Sequence, residues 1–241
     1  MQLCAITDRK ALAPAGESEA VLRQKLRSLV HDWIDGGVDF IQLREKDLSA
    51  YRLASLAEEI LAGVDRRQSK LLINLPASLA WIKALAPFAD GVHIPGHPKP
   101  GAAALVRQIY DGLGRDAVVS MACHSVEHAQ VARTEGADLA LFAPVFEKPF
   151  PRVDVPGEAA AFVATGPLAA PGQGLAALHS ACEAAGTVPV FALGGVTASN
   201  ASECIAAGAA GVAGIRLFAG DSWRKLKPGP VLSEGARPIY S

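Results

Sequence analysis

Pro189-Val190-Phe191-Ala192-Leu193-Gly194-Gly195-Val196 is an apolar run of β-type residues that breaks off at two glycines. Thr197, Ser199 and Asn200 follow, and then a helical pattern. The reading is a buried parallel strand that feeds a helix, with no side chains at the bend. Bare amides at a helix N-terminus attract anions, because unpaired N–H groups and the helix dipole both favour negative charge there. A phosphate is the expected occupant. A glycine pair also serves a simple tight turn, so the surrounding pattern has to choose.

The same unit recurs along the chain. Strands are expected at Gln2–Thr7, Phe40–Leu43, Lys70–Asn74, Gly91–Ile94, Ala117–Ser120, Leu139–Ala143, Val188–Leu193 and Gly211–Ile215. Helical patterns follow at about Ser18–Gly36, Ser49–Gly63, Pro76–Ala86, Ala102–Gly112, Ser125–Glu135, Gly174–Ala185, Ser199–Ala207 and Asp221–Lys227. Ser49 and Ser125 are candidate N-caps, and Gly36 and Gly136 stand just past helix ends. Most strands are continuous apolar runs, covered on both faces as in a parallel sheet.

Eight such units predict an α/β fold, a single (β/α)8 TIM barrel over residues 1–227, with 228–241 an irregular proline-bearing tail. An open doubly wound sheet would have fewer strands and usually a Gly-rich loop after the first one. Here the first strand runs into Thr7-Asp8-Arg9. Barrels of this kind place chemistry at the C-terminal ends of their strands and bind phosphate after strands seven and eight. Gly194 and Gly195 end the seventh, and Arg216 ends the eighth. The connection from Pro144 to Gly172 is long and carries six prolines, which reads either as a lid or as a loose insertion.

Composition narrows the partners. Of 241 residues half are hydrophobic and only 6% aromatic, so Ala, Val, Leu and Ile build the core. A net charge of −1 with no basic stripe argues against nucleic acid. Cys4, Cys123, Cys182 and Cys204 are scattered, without metal-ligand spacing, as small buried residues of a reducing cytoplasm would be. Met1 leads directly into a strand, so no signal peptide is expected. No apolar run approaches the roughly 20 residues of a membrane span. The expected partner is a phosphorylated small molecule, and a homo-oligomer stays open.

Candidate chemistry lies at the strand ends. Gln42, Arg44 and Lys46 alternate onto one side, an amide and two cations suited to a phosphate or diphosphate. Salt bridges from these cations to Glu45 or Asp47 are the competing reading. Asn74 adds an amide after strand three. His93 and His97 do not make a metal pair, because four-residue spacing needs a helix that Pro95-Gly96 forbids. His124 stands where a general acid/base is wanted, just before Ser125. Glu147 and Lys148 sit at the root of the long connection.

In this order the segments Ile6-Thr7-Asp8-Arg9, Gln42-Leu43-Arg44-Glu45-Lys46, Ile73-Asn74, Gly91-Val92-His93-Ile94, Cys123-His124-Ser125, Ala143-Pro144-Val145-Phe146 and Ala192-Leu193-Gly194-Gly195-Val196 resemble the thiamin phosphate synthase and TenI (thiazole tautomerase) superfamily. The resemblance extends through Gly208–Ala213 to Arg216. It implies a barrel that binds a thiazole phosphate at the glycines after strands seven and eight. In synthases the Gln-x-Arg-x-Lys triplet holds an aminopyrimidine diphosphate, carboxylate-bound Mg²⁺ assists loss of diphosphate, and the thiazole nitrogen captures the carbocation.

The departures concern the metal. Synthases usually carry an Asp directly after the Asn, where this chain has Leu75, and a second Asp in the loop that here reads Pro95-Gly96-His97-Pro98. Ala122 stands where Ser is common, Glu147-Lys148-Pro149-Phe150 replaces a Thr-rich stretch, and Arg216 replaces a small Ser. These changes favour a metal-independent, tautomerase-like proton transfer with no cofactor. In that reading His124 shuttles the proton while Gly194, Gly195 and Arg216 hold phosphate. The further catalytic candidates Lys46 and Lys148, like Arg216, would replace metal charge in a synthase, whose Gln42-Arg44-Lys46 triplet a tautomerase does not require. Gln42, Arg44, Asn74 and Glu147 are the substrate-binding candidates. The alternatives are a divergent synthase, with Mg²⁺ needed only in that case, and a non-catalytic barrel that binds a phosphate ligand for regulation.

Overall fold

The computed structural model describes residues 1–13, 16–65, 69–74, 80–96, 98–149 and 169–227. Eight parallel strands close into a barrel in chain order: β1 (Gln2–Ile6), β2 (Phe40–Leu43), β3 (Lys70–Asn74), β4 (Gly91–Ile94), β5 (Val118–Cys123), β6 (Leu139–Phe142), β7 (Val190–Leu193) and β8 (Gly211–Gly214). β8 returns to pair with β1, Gln2 opposite Gly211. The connections hold α1 (Glu19–Asp35), α2 (Ala50–Leu61), α3 (Ala80–Leu85), α4 (Ala102–Asp111), α5 (Val126–Thr134), α6 (Gly174–Ala185) and α7 (Ala201–Ala206).

Strand alternation sorts side chains into two cores. Leu3, Ala5, Ile41, Leu43, Ile73 and Val92 face outward and pack with Leu26, Val30 and Trp33 of α1 and Leu53, Leu56 and Ile60 of α2. Cys4, Ile6, Leu72, Leu139, Leu141, Phe191 and Ala213 fill the barrel. The continuous apolar runs in the sequence follow from this double coverage. Register then assembles the polar mouth: Ile6, Gln42 and Leu72 lie opposite one another, as do Asn74, His93 and Ser120.

Two elements depart from the sequence pattern. β5 runs to Cys123 instead of stopping at Ser120, which places Ser120 inside the barrel wall. The eighth helix is replaced by two 3₁₀ segments, Arg216–Phe218 and Asp221–Leu226. Side-chain packing shapes that segment: Phe218 meets the Trp33 ring edge-on at 6.0 Å and lies 5.8 Å from Trp223, while Trp33 Nε1 donates to Phe218 O at 3.1 Å. Lys227 pairs with Asp39 at 3.0 Å. Ser18, Ser49 and Ser125 cap α1, α2 and α5. The long connection begins and ends in a two-stranded antiparallel ribbon, Lys148–Pro149 with Ala169–Ala170; 150–168, like the expected tail 228–241, lies outside the described residues. No helix among the described residues is long and apolar enough to cross a membrane.

Wall contacts leave some positions no room for a side chain. A Cβ on Gly91 would stand 1.8 Å from Val118 O and 2.7 Å from Val118 N, both backbone atoms of the neighbouring strand. Gly91→Ala should therefore destabilise by about 3 kcal/mol, the upper range for overpacking, read as a lower denaturant midpoint in chemical unfolding.

Candidate active site

The exit of β2 is organised by Arg9, which is 2% exposed. Its guanidinium donates to Glu45 Oε2 at 2.9 Å and bidentately to Asp47 at 2.8 Å, and its other face meets Glu19 at 3.0 and 3.1 Å. Thr7 Oγ1 donates to Glu45 Oε1 at 2.6 Å and accepts the Arg44 amide at 3.0 Å. Hydrogen bonding to Arg9 holds Asp47 well below the usual carboxylate range. Burial pushes the Glu45 carboxyl up, against the pull of Thr7 and Arg9. The salt-bridge alternative for Arg44 and Lys46 is thereby decided: Glu45 and Asp47 bind Arg9, and no described residue forms an ion pair with Arg44 or Lys46.

Beside Arg44 the mouth carries a buried polar layer. Gln42, 2% exposed, donates through Nε2 to Asn74 Oδ1 at 3.1 Å, and its Oε1 has no hydrogen-bond partner. A buried carbonyl without a donor costs the desolvation of that group, so this atom marks a place where a ligand donor would be welcome. His93, 6% exposed, meets Ser120 Oγ through Nδ1 at 2.9 Å. Burial, followed by the nearby charges of Arg44 and His124, pushes the His93 pKa down to about 3. The imidazole is neutral at physiological pH.

Across the mouth a cleft of about 740 Å³ is lined by Asp8, Glu147, Gly194, Gly195, Ile215 and Arg216, among others. Gly194 and Gly195 adopt φ of +92° and +69°, which glycine alone enters without strain. A Cβ on Gly195 would lie 2.6 Å from Phe146 Cβ and 2.8 Å from Glu147 O, so the β6 exit rests directly on the bend. The glycine bend does not lead straight into a helix. α7 starts only at Ala201, and the Thr197 amide is already taken by Asn200 Oδ1 at 2.8 Å. Among the described residues the Gly195, Val196, Ile215 and Arg216 amides donate to no backbone carbonyl. These amides lie at two strand exits and line the cleft.

His124 follows β5, with Nδ1 2.9 Å from Ala143 O, a carbonyl that also accepts from Gln173 Nε2 at 3.0 Å. Its ring lies against Gly96, where a Cβ would approach Nε2 to 3.3 Å. Lys148 lies in the short ribbon, and its side chain, like Leu75 and His97, falls outside the described residues. The structure thus brings Gly194, Gly195, Arg216 and Glu147 to one cleft, and Gln42 and Asn74 into contact on the opposite wall. Sequence reasoning missed Arg9, Ser120, Asp8 and Gln173. For Arg9 a signal existed, a charged residue two positions beyond an apolar strand. Ser120 was visible as a polar residue within a buried run.

The family model for thiamine monophosphate synthase matches residues 3–218. The chain belongs to this family. A Geobacter sulfurreducens protein with a provisional thiamine-phosphate synthase name is 38% identical over 196 residues, 81% of this chain and 80% of its own length. The thiamine-phosphate synthase of Roseiflexus castenholzii is 33% identical, covering 89% of this chain and 79% of that protein. In fold, the chain matches a thiamine phosphate pyrophosphorylase from Pyrococcus furiosus with a TM-score of 0.59 at 23% identity, over 93% of this chain and 90% of that one.

Magnesium is the group this family implies, and the donors here do not fit it. Mg²⁺ favours carboxylate and water oxygens in near-octahedral geometry. The β2–β4 side of the mouth offers two amides, an imidazole and a guanidinium, with Glu45 and Asp47 bound to Arg9. The cleft across it carries the carboxylates of Asp8 and Glu147, without a third ligand among the described residues to complete a cluster. Among the described residues no group of three or more His, Cys, Asp or Glu could hold a metal.

Two outcomes follow. Removing Arg9 strands a buried carboxylate, so Arg9→Met should cost about 3–5 kcal/mol in urea unfolding, and adding Glu45→Gln should recover part of the loss. His93 behaves as a buried neutral base, with a pKa lowered from 6.5 to about 3. Between those values the unfolded chain binds a proton that the folded one does not, so stability rises with pH across this window and is lost on acidification. The slope expected from this residue is at most ~1.4 kcal/mol per pH unit, and His93→Gln should remove that component from a pH series of unfolding curves.

Proposed function

We propose that the chain is a thiamin-phosphate synthase, joining an aminopyrimidine diphosphate to a thiazole phosphate. The observation that carries this reading is the capture of Glu45 and Asp47 by Arg9, with no described ion-pair partner for Arg44 or Lys46 beside Gln42 and Asn74. Cations kept from neighbouring carboxylates suit a diphosphate, and the amide pair suits a heterocycle that hydrogen-bonds. The synthase names of the relatives favour the same reaction over the proton transfer that the sequence departures had favoured.

In this reading the thiazole phosphate lies in the glycine-lined cleft, its phosphate facing the amides near Gly195 and Arg216 and the Arg216 guanidinium. The diphosphate faces Arg44 and Lys46. As the methylene C–O bond breaks, the diphosphate departs with the bonding electron pair, and both cations oppose the charge that develops on it. The thiazole nitrogen donates its lone pair to the methylene carbon, forming the C–N bond. The proton-transfer reading rests on His124, whose Nδ1 contact with Ala143 O leaves Nε2 as the nitrogen toward Gly96.

The test is incubation with both substrates over a range of Mg²⁺ and with chelator, following thiamin phosphate. Product is expected, and Arg44→Ala should lower kcat/KM by at least about 100-fold, the loss of a charged contact to the leaving group. Absence of product at every metal level overturns the synthase. Isomerisation of a thiazole carboxylate phosphate, abolished in His124→Ala, would then establish the tautomerase. Tight phosphate-ester binding with neither reaction would leave the regulatory barrel.

A further inference from the structure

Ser120 and His93 form a buried pair that the proposed reaction does not use. Ser120 Oγ belongs to a fully buried residue in the barrel wall, and His93 Nδ1, at 2.9 Å, is its hydrogen-bond partner among the described residues. A buried hydroxyl that donates to nothing forfeits the desolvation cost of its proton. The hydroxyl therefore donates to Nδ1, and the neutral ring carries its own proton on Nε2. Protonation of both nitrogens is opposed by burial and by Arg44 and His124, the charged groups that act on this ring. Nε2 has no partner among the described residues.

A buried atom without a partner stands two strands away: Gln42 Oε1 accepts from no described residue, while Gln42 Nε2 donates to Asn74 Oδ1. Asn74 links the two, since its backbone is in register with His93. Two residues that adjoin Asn74, one through a side-chain hydrogen bond and one through strand register, thus carry an acceptor, the Gln42 carbonyl oxygen, and a donor, the His93 imidazole N–H. Their complement is a planar group with an exocyclic amino donor next to a ring-nitrogen acceptor.

We propose that Ser120 is a positioning residue that locks His93 in its Nε2–H form, and that this N–H and the Gln42 carbonyl together read the amidine edge of an aminopyrimidine. The identity of the heterocycle rests on the synthase reading; the lock does not. Ser120 acts only through His93. A histidine without the lock populates both tautomers, and in the Nδ1–H form Nε2 turns a lone pair toward the ring nitrogen.

Long-range ¹H–¹⁵N correlation spectra of the full chain with labelled histidine test the lock directly, His93 being assigned by the loss of its signals in His93→Gln. The expected wild-type pattern is an unprotonated Nδ1 and a protonated Nε2, shifting to a mixture in Ser120→Ala. An Nδ1–H form in the wild type, or an unchanged pattern in Ser120→Ala, overturns it. Calorimetric titration tests the ligand. Ser120→Ala should weaken 4-amino-2-methyl-5-hydroxymethylpyrimidine diphosphate roughly fivefold, the worth of one neutral hydrogen bond, and leave inorganic diphosphate unchanged. Equal weakening of both, or of neither, overturns the edge recognition. If the wild type binds inorganic diphosphate but not the pyrimidine ester and forms no thiamin phosphate, the synthase reading fails while the spectra still decide the lock. If it forms thiamin phosphate and Ser120→Ala is unaltered in affinity and spectra, this inference alone fails.

Discussion

The Arg9 guanidinium, buried against Glu45 and shared with Asp47 and Glu19, is the contact on which the site depends. A charge this deep is tolerated only with carboxylates around it. Glu45 and Asp47 come from the segment that follows β2 and Glu19 from α1, so the first two strand exits are tied to α1 by one side chain. The consequence is a separation of charge: Glu45 and Asp47 bind Arg9, Gln42 pairs with Asn74, and Arg44 lies close enough to His93 to act on its charge.

The opposite wall is built by close approach instead of charge. Gly194 and Gly195 let the β6 exit rest on the β7 exit, with Phe146 N bonded to Gly194 O at 2.9 Å and Val145 N to Leu193 O at 2.9 Å. The amides beyond the bend remain available because no side chain fits there and no helix begins until Ala201. The β2–β3 side thus carries Arg44 and an amide pair, and the other side carries backbone N–H groups with Arg216, Asp8 and Glu147.

Much of this was legible residue by residue. The spacing of apolar runs marked all eight strands because burial on both faces erases the polar alternation. The caps at Ser49 and Ser125 were legible because they are local, each satisfied within three residues. The last helix was misread: Asp221–Lys227 has the composition of a helix turn, yet Trp223 is pulled into the Trp33–Phe218 cluster, and that long-range packing sets a 3₁₀ path. The glycine bend was legible as a strand end, but not that the Asn200 side chain claims the Thr197 amide and that no helix starts before Ala201.

By itself the sequence determined the barrel, its strand order and the family to which the chain belongs, since these rest on periodicity and on short motifs read along the chain. Tertiary structure alone decided which charges pair. Arg9 lies 36 residues from Glu45, and Ser120 lies 27 from His93. Partners that far apart meet only through barrel register, where one residue of slip would turn each of them to the other face.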